Sequence, residues 1–194
     1  ITAKGDVTNV SGTLKGGDVS VKSTGGDIVN QRAEGHGSLS DYRAAGIEAT
    51  GNLALEAKGD IITRGAEVKA GGDASLAAGR DVRFDTVVDT HSSYTTTAGS
   101  QGLLVDTGQP GTAVTTEKNV GSSLTTGGDL KIKSGGDMTL AGTKAVVGGS
   151  LGIDSGGDVS ILSRQDRMTT FTETSKSGFG VGGGAGAAGR CASS

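Results

Sequence analysis

The sequence predicts an all-β protein, a right-handed parallel β-helix (β-solenoid) with about 21 residues per coil and Thr-rich extra strands or hairpins. Three observations predict this fold. A Gly-Asp turn recurs with a period of 21 residues, a pair of apolar residues follows most of these turns at strand spacing, and the whole pattern is duplicated at a shift of 77 positions.

The turns are the dipeptide Gly-Asp, usually Gly-Gly-Asp. Asp60 to Asp81 and Asp137 to Asp158 are both intervals of 21 residues, and a fixed period of this size indicates units that stack on one another. Gly adopts the left-handed conformation freely, and Asp accepts a backbone N–H in an Asx-type turn; both roles are expected here. Stacking would align the Asp carboxylates, and the lysines expected to offset their repulsion are Lys4, Lys15, Lys22, Lys58 and Lys131.

The strands of the coil are apolar pairs one and three places after the turn residue. Alternate residues of a strand point to the same face, so each pair is expected to send two side chains inward. The pairs are Val19/Val21, Leu53/Leu55, Val82/Phe84, Leu130/Ile132, Met138/Leu140, Leu151/Ile153 and Val159/Ile161. A third strand is predicted at Val68/Ala70 and Ala145/Val147, giving three strands per coil.

A duplication spans several coils. Residues 52–97 align with 129–174 without a gap at a shift of 77, with 12 identities in 46 pairs. Each copy ends in a Thr-rich stretch, 85–97 and then 162–177. Residues 98–126 lack a clear turn signature and are predicted to be irregular coils with an excursion near the turn signal at 108–111. The predicted β-helix covers 1–177, and 178–194 is predicted to be a flexible Gly/Ala-rich tail.

Composition narrows the protein class. Gly contributes 37 residues, but the every-third-position period of collagen is absent. A hydrophobic fraction of 33% and a net charge of only -3 argue against a disordered chain and against nucleic acid as a partner. Cys191 is the single cysteine, which excludes an intrachain disulfide scaffold or a multi-cysteine metal site. Because the repeat is already present at Ile1, the chain is expected to be a piece of a longer protein.

Three segments carry a family resemblance: residues 78–82, 126–132 and 163–184 resemble haemagglutinin repeats. These repeats occur in large exoproteins of Gram-negative two-partner secretion systems, a group that includes filamentous haemagglutinin adhesins and contact-dependent growth inhibition effectors. The resemblance implies a secreted, cell-surface β-helical filament that an outer-membrane transporter partner exports. It implies a role in adhesion or in presenting a C-terminal toxin.

The Thr-rich stretches are the candidate interaction site, since they are β-prone and polar with one aromatic residue each. The candidate residues are Tyr94, Thr95, Thr97, Phe171, Thr172 and Thr174. One interpretation is an extra strand that covers the solenoid flank or an exposed edge. The other is an adhesive strip for a cell-surface receptor or glycan.

An enzymatic role is not expected, and no cofactor or metal site is predicted. A carbohydrate-active β-helix enzyme is the alternative, and it would need clustered acids in a groove; the off-pattern acids are Asp85, Asp89, Glu117, Asp166 and Glu173. Calcium-binding repeats require Gly-Gly-x-Gly-x-Asp, an order that occurs nowhere in the chain. His36, His91 and Cys191 are expected to have no catalytic role.

Overall fold

A computed structural model describes residues 1–33, 44–96 and 111–173 of the chain. These residues are all-β; they contain no helix, and therefore none that could span a membrane. The strands in chain order are β1 (Thr2–Ala3), β2 (Val7–Val10), β3 (Thr13–Gly16), β4 (Val19–Ser23), β5 (Ile28–Gln31), β6 (Gly46–Ala49), β7 (Leu53–Ala57), β8 (Ile61–Arg64), β9 (Glu67–Ala70), β10 (Ala74–Ala78), β11 (Val82–Asp85), β12 (Val87–Thr96), β13 (Gly111–Val120), β14 (Ser123–Thr126), β15 (Leu130–Ser134), β16 (Met138–Ala141), β17 (Lys144–Val147), β18 (Leu151–Ser155), β19 (Val159–Leu162) and β20 (Arg167–Thr172).

Most of these strands belong to three parallel sheets. Sheet 1 has the order β1-β4-β7-β10-β15-β18, sheet 2 the order β2-β5-β8-β11-β16-β19, and sheet 3 the order β3-β6-β9-β14-β17. Apart from β12, β13 and β20, successive strands therefore visit sheets 1, 2 and 3 in rotation. This arrangement, called the stack below, is consistent with a β-helix.

The register of the stack follows the sequence period. Leu53 in β7 pairs with Ala74 in β10, 21 positions further on. Val19 pairs with Leu53, 34 positions on, and Ala74 pairs with Leu130, 56 positions on. The longer separations show that two insertions leave the stack while the strands on either side stay paired.

The predicted apolar pairs supply part of the core of the stack, and buried residues outside those pairs, such as Ile61 and Leu76, complete it. In sheet 1, Leu55, Leu76 and Ile132 lie side by side in neighbouring strands and are each at most 2% exposed. The matching residue of β18, Ile153, pairs with Ile132 but is 37% exposed. It is exposed because β18 is the last strand of sheet 1 in the described residues.

The Asp side chains of the turns bond to the next coil, which differs from the local Asx-turn role predicted above. Asp60 Oδ1 accepts the backbone N–H of Asp81 at 3.0 Å, and Asp81 Oδ1 accepts that of Asp137 at 2.9 Å. A second ladder follows the other Gly-Asp corner, where Asp73 Oδ1 accepts the N–H of Asp129 at 2.8 Å. Each carboxylate thus ties one coil to the next.

The glycines of these turns are also used differently from the prediction. None of the described Gly-Gly-Asp glycines has a positive φ. A Cβ on Gly128 would instead collide with Asp73 Oδ1 of the preceding coil and come within 3.1 Å of the Gly72 carbonyl carbon. Gly26, Gly59, Gly72 and Gly136 meet the preceding turn in the same way, whereas a Cβ on Gly17 would meet nothing within 4 Å. Where the constraint exists, it therefore comes from the close approach of stacked strands and not from the turn itself.

Two of the lysines predicted to offset the charge of the Asp column form ion pairs with other acids. Lys15 and Lys22 pair with glutamates on neighbouring strands, Glu48 and Glu56. Arg80 offsets the negative charge of the ladder. Its Nε lies 3.1 Å from Asp60 Oδ1 and its Nη2 lies 3.0 Å from Asp27 Oδ1. The Coulomb attraction of Asp60, followed by the hydrogen bond to Asp27, raises the pKa of Arg80.

The corner from sheet 2 to sheet 3 alternates between two forms. After β2, β8 and β16 it is tight and uses one left-handed residue: Ser11 (φ 50), Gly65 (φ 54) and Gly142 (φ 54). After β5 and β11 the next strand of the stack, β6 or β14, begins only after residues 32–45 or 86–122, and β19 is followed by β20 of another sheet in residues 163–173. These segments are called excursions. They follow every second strand of sheet 2, and the second and third begin 77 positions apart, as the duplication does.

The second and third excursions contribute the strands of a fourth sheet, in the order β12-β13-β20. The two Thr-rich stretches thus contain strands, β12 and β20. The region 98–126, predicted to be irregular, contains the regular strands β13 and β14. Residues 108–110 of the predicted turn and the predicted tail 178–194 lie outside the described residues.

The chain divides into two compact units. The first comprises residues 1–92 and 115–169. It contains the stack and those parts of the excursion strands that fall within these ranges. Of the second, the described residues are 93–96, 111–114 and 170–173.

Candidate functional site

Asn119 in β13 connects two excursion strands to each other. Its amide Oδ1 accepts the hydroxyl hydrogen of Thr86 at 3.0 Å, immediately before β12. On the other side, Asn119 Nδ2 donates to the carbonyl of Gln165 at 2.6 Å, and its backbone N–H donates to Asp166 Oδ1 at 2.7 Å, just before β20. One side chain therefore fixes the start of both neighbours of β13.

Two further polar contacts hold the bases of the excursions. Arg164 binds the carboxylate of Asp85 through two nitrogens, with Nη2 and Nε at 3.0 and 3.1 Å from Oδ1. Ser122, which is buried, donates its hydroxyl to the Asp85 carbonyl at 2.6 Å where the chain re-enters the stack at β14. Such bidentate and buried contacts specify one geometry for the exit and return of the chain.

A buried ion pair joins the first excursion to the second. Arg32 Nη2 lies 2.8 Å from Asp89 Oδ2, and the two side chains are 8% and 2% exposed. A buried pair of this kind fixes a geometry more than it adds stability, because both charges lose their hydration. Asp89 is the residue of β12 that corresponds to Asp166 after the shift of 77.

The candidate interaction residues lie on β12 and β20. Tyr94 is 60% exposed and Phe171 59% exposed, and Thr95 and Thr172 are exposed as well. Thr97 and Thr174 lie outside the described residues. Whether these side chains bind a receptor stays a prediction.

In the second unit, Tyr94 covers a glycine of the neighbouring strand. A Cβ on Gly111 would collide with the phenol ring and hydroxyl of Tyr94. An aromatic ring that covers a cross-strand glycine shields its backbone and compensates for the missing side chain. On the other side of β13, the Glu173 N–H donates to the Gly111 carbonyl at 2.8 Å.

Three of the five acids predicted for a hydrolase are engaged in structural contacts. Asp85 is held by Arg164, Asp89 by Arg32, and Asp166 by the Asn119 N–H. Glu117 is partly exposed in β13 and Glu173 is exposed. No group of three or more metal-ligating side chains occurs in the described part of the chain.

The hollows on the surface of the stack are open and shallow. One lies on the outer face of sheet 1 over the small side chains of Ser20, Ala54 and Ser75. Its two acids, Asp18 and Asp73, each accept a backbone N–H in the turn ladder. This hollow therefore lacks the free pair of acids that the enzymatic alternative requires.

The expectation that the histidines and the cysteine have no catalytic role stays a prediction. His91 is exposed on β12, while His36 and Cys191 lie outside the described residues. Sequence reasoning missed the residues that organise the excursions, above all Asn119, Arg164 and Ser122. The available signal was the shift of 77, which places a hydroxyl residue, Ser163, at the position of Thr86.

Comparison with known proteins gives a consistent picture. A family model described as "Hemagglutinin repeat" matches residues 34–178. "Deoxyribonuclease CdiA" of Dickeya dadantii (strain 3937) is 34% identical over 155 residues, covering 70% of this chain and 4% of that protein. "Deoxyribonuclease CdiA" of Yersinia pseudotuberculosis serotype O:3 is 29% identical over 151 residues, covering 70% of this chain and 14% of that protein.

A third relative, "Toxin CdiA" of Escherichia coli, is 33% identical over 97 residues, which cover 45% of this chain and 3% of that protein. The chain thus spans a small fraction of the length of each of these three relatives. No solved structure matches it.

Proposed function

Because the chain belongs to the haemagglutinin-repeat family, as a segment of the kind found in two-partner secretion exoproteins, we propose that it is a structural stalk in a large secreted protein of a Gram-negative bacterium. In this role it presents other parts of the exoprotein at the cell surface, for adhesion or for delivery of a C-terminal toxin. Export requires an outer-membrane transporter as partner. The nuclease activity named in two relatives is then carried by a region outside this segment.

The observation that supports the proposal is the continuous stack. Three parallel sheets share one apolar core, and an Asp ladder at each Gly-Asp corner ties coil to coil. A repeat in which each unit contacts only its neighbours can be extended without changing its construction. Such a scaffold suits a spacer.

The finer geometry belongs to the same proposal. The three sheets are the faces of a right-handed parallel β-helix whose coil length equals the separation of 21 between the bonded turn residues Asp60 and Asp81. The pairing of strand residues at the same separation supports this coil length. The hand follows from general experience, because connections between parallel strands of one sheet are right-handed in about 98% of cases.

The enzymatic alternative has less support. Three of the five acids predicted for it, Asp85, Asp89 and Asp166, are held by Arg164, Arg32 and a backbone N–H. A glycosidase needs one carboxylic acid and one carboxylate on either side of a bound sugar. Cleavage of a polysaccharide by the purified chain would overturn the structural assignment.

A chimera tests the stalk role. The chain replaces the matched segment of the Dickeya dadantii relative, and surface display of the remainder is measured by antibody labelling of intact cells. Deletion of the matched segment is expected to reduce display, and insertion of this chain to restore it. A chimera that is made intact but not displayed, while the native protein is displayed, would contradict the proposal.

The adhesive strip is tested on the isolated chain. Tyr94→Ala with Phe171→Ala removes both exposed aromatics, and Lys131→Ala with Lys133→Ala is the matched surface control on sheet 1. If the strip binds a receptor or glycan, the aromatic pair of substitutions lowers binding of the chain to cells while the control does not. Equal binding by both variants would remove the adhesive part of the proposal.

A further inference from the structure

Strands β12 and β20 are equivalent positions of the duplication, and β13 lies between them. The shift of 77 carries residues 87–96 of β12 onto 164–173, the segment that contains β20. In the sheet order β12-β13-β20, both edges of β13 are therefore occupied by two versions of the same strand. The edge of β20 that faces away from β13 is the equivalent of the edge through which β12 holds β13.

The contacts on the occupied edge can be named. Thr86 donates its hydroxyl to Asn119 Oδ1 at 3.0 Å, and the Ser92 and Thr115 hydroxyls lie 3.2 Å apart. As the chain advances from 86 to 92, the partner residue falls from 119 to 115, so β12 and β13 run antiparallel. Asn119 and Thr115 are four residues apart and project from the same face of β13.

Both hydroxyl groups of β12 recur on the outer edge of β20, which pairs with no other strand among the described residues. The shift of 77 carries Thr86 onto Ser163 and Ser92 onto Thr169. Thr86 is only 8% exposed beneath its partner strand, whereas Ser163 and Thr169 are exposed. Ser163 and Thr169 take no part in the hydrogen bonds that join Gln165 and Asp166 to Asn119.

The second unit shows the same correspondence on its own strands. Tyr94 covers Gly111, and the shift of 77 carries Tyr94 onto Phe171, which keeps the aromatic ring. Phe171 is 59% exposed. Within the second unit, a glycine equivalent to Gly111 would therefore meet an aromatic ring on Phe171, as Gly111 does on Tyr94.

We propose that the outer edge of β20 is an acceptor site for one more strand of the β13 type, with the pattern Gly-x3-Thr-x3-Asn, supplied by a further 77-residue repeat. It would bind antiparallel, with its Asn carbonyl on Ser163 and its Thr on Thr169. A second copy of the chain cannot supply its own β13, because that strand is paired on both edges. Residues 174–194 contain no Asn and so lack the pattern.

The outer edge of β12 differs from that of β20. Asp166 accepts the Asn119 N–H, whereas its equivalent in β12, Asp89, is buried in the ion pair with Arg32. The polar group that would receive an incoming strand on that side is thus already engaged by the first excursion. The acceptor edge is therefore on β20.

The alternation of corners fits this growth. A hairpin adds two strands, or about 9.6 Å at ~4.8 Å per strand, and two coils of the stack rise by the same amount. An excursion at every second coil therefore keeps the near part of the fourth sheet in step with the stack. An excursion at every coil would add four strands where there is room for two.

The proposal is tested with a synthetic peptide of residues 111–120 and the full chain labelled with ¹⁵N. Titration is expected to shift the amide resonances of residues 163–172 and to leave those of sheet 1 unchanged. A peptide carrying Asn119→Ala should bind roughly threefold to tenfold more weakly, the effect of one net hydrogen bond. The variant Ser163→Ala of the chain should lose a similar factor.

Combining the two changes separates the proposed contact from unspecific strand binding. If the peptide Asn bonds to Ser163, either change alone already removes this hydrogen bond. The affinity of the N119A peptide for the S163A chain should then be no lower than the affinity measured with either single change. Full additivity would overturn the assignment of this contact. The site itself is overturned if a scrambled peptide binds equally well, if shifts appear on β12 instead of β20, or if no shift appears at millimolar peptide.

Discussion

Gly128→Ala and Gly17→Ala make the same chemical change at the same turn position of two different coils. Gly128 precedes Asp129, and Gly17 precedes Asp18, in one ladder. An added Cβ at Gly128 would collide with Asp73 Oδ1 and come within 3.1 Å of the Gly72 carbonyl carbon, whereas a Cβ at Gly17 meets nothing within 4 Å. Neither glycine has a positive φ, so backbone conformation does not distinguish them.

The cost of Gly128→Ala follows from the contact that must open. The Asp73 carboxylate has to turn away, and the Asp129 N–H then loses its 2.8 Å bond. A stranded N–H costs about 1–3 kcal/mol, and separating overpacked coils adds about 1–3 kcal/mol. The expected loss of unfolding free energy is therefore about 2–6 kcal/mol. Gly17→Ala should be neutral or stabilise by up to about 1 kcal/mol, because Ala restricts the unfolded chain.

Urea denaturation of both variants, followed by circular dichroism, measures the two effects. The predicted result is a lower midpoint for Gly128→Ala and an unchanged or higher midpoint for Gly17→Ala. Similar losses in both variants would refute the reasoning, since they would mean that these glycines are required by the turn itself.

Three further outcomes are expected. Phe84 is fully buried, and Phe84→Ala should cost about 3–5 kcal/mol of unfolding free energy in the same denaturation assay. Ile161 lies 77 positions further along the same column of side chains but is 74% exposed, so Ile161→Ala should cost far less. Adding a chelator should leave the β-type circular dichroism unchanged, and its loss would favour a calcium-dependent repeat. The pKa of Arg80 is raised by Asp60 and Asp27, so its stabilising charge is present below the unfolded pKa and is lost only as the pH rises through the higher folded value. Arg80→Ala should therefore lower the urea midpoint by a constant amount between about pH 6 and 9, where an arginine stays charged in both states, and a loss that varies with pH there would contradict this assignment.

Much of the stack could be predicted from the sequence because its signals are local. The apolar pairs such as Val82/Phe84 lie inward as predicted, and the positions 21 apart are paired. The role of the turn residues could not be predicted, because Asp73 acts on Asp129, 56 positions away. Only the stacking of coils brings these two residues together.

The excursions were predicted in part. The Thr-rich stretches suggested extra strands, and β12 and β20 are present. Strand β13 was missed because Gly111–Val120 has no period of its own and no counterpart in the 77-residue alignment. Its register is set by Asn119, whose partners lie 33 and 46 or 47 positions away. A single sequence carries little trace of contacts at such distances.

The pairing of β10 with β15 across the long excursion tests the central claim most directly, because it requires the chain to return to the same register 56 positions further on. Ser75 and Lys131 are outward-facing partners in these strands. In a Cys191→Ser background, the pair Ser75→Cys with Lys131→Cys should form an intramolecular disulfide on mild oxidation, since neighbouring strands lie within disulfide reach. The pair Ser75→Cys with Lys133→Cys, displaced by two residues, should not. Equal cross-linking of both pairs, or cross-linking only of the displaced pair, would contradict the stacked register.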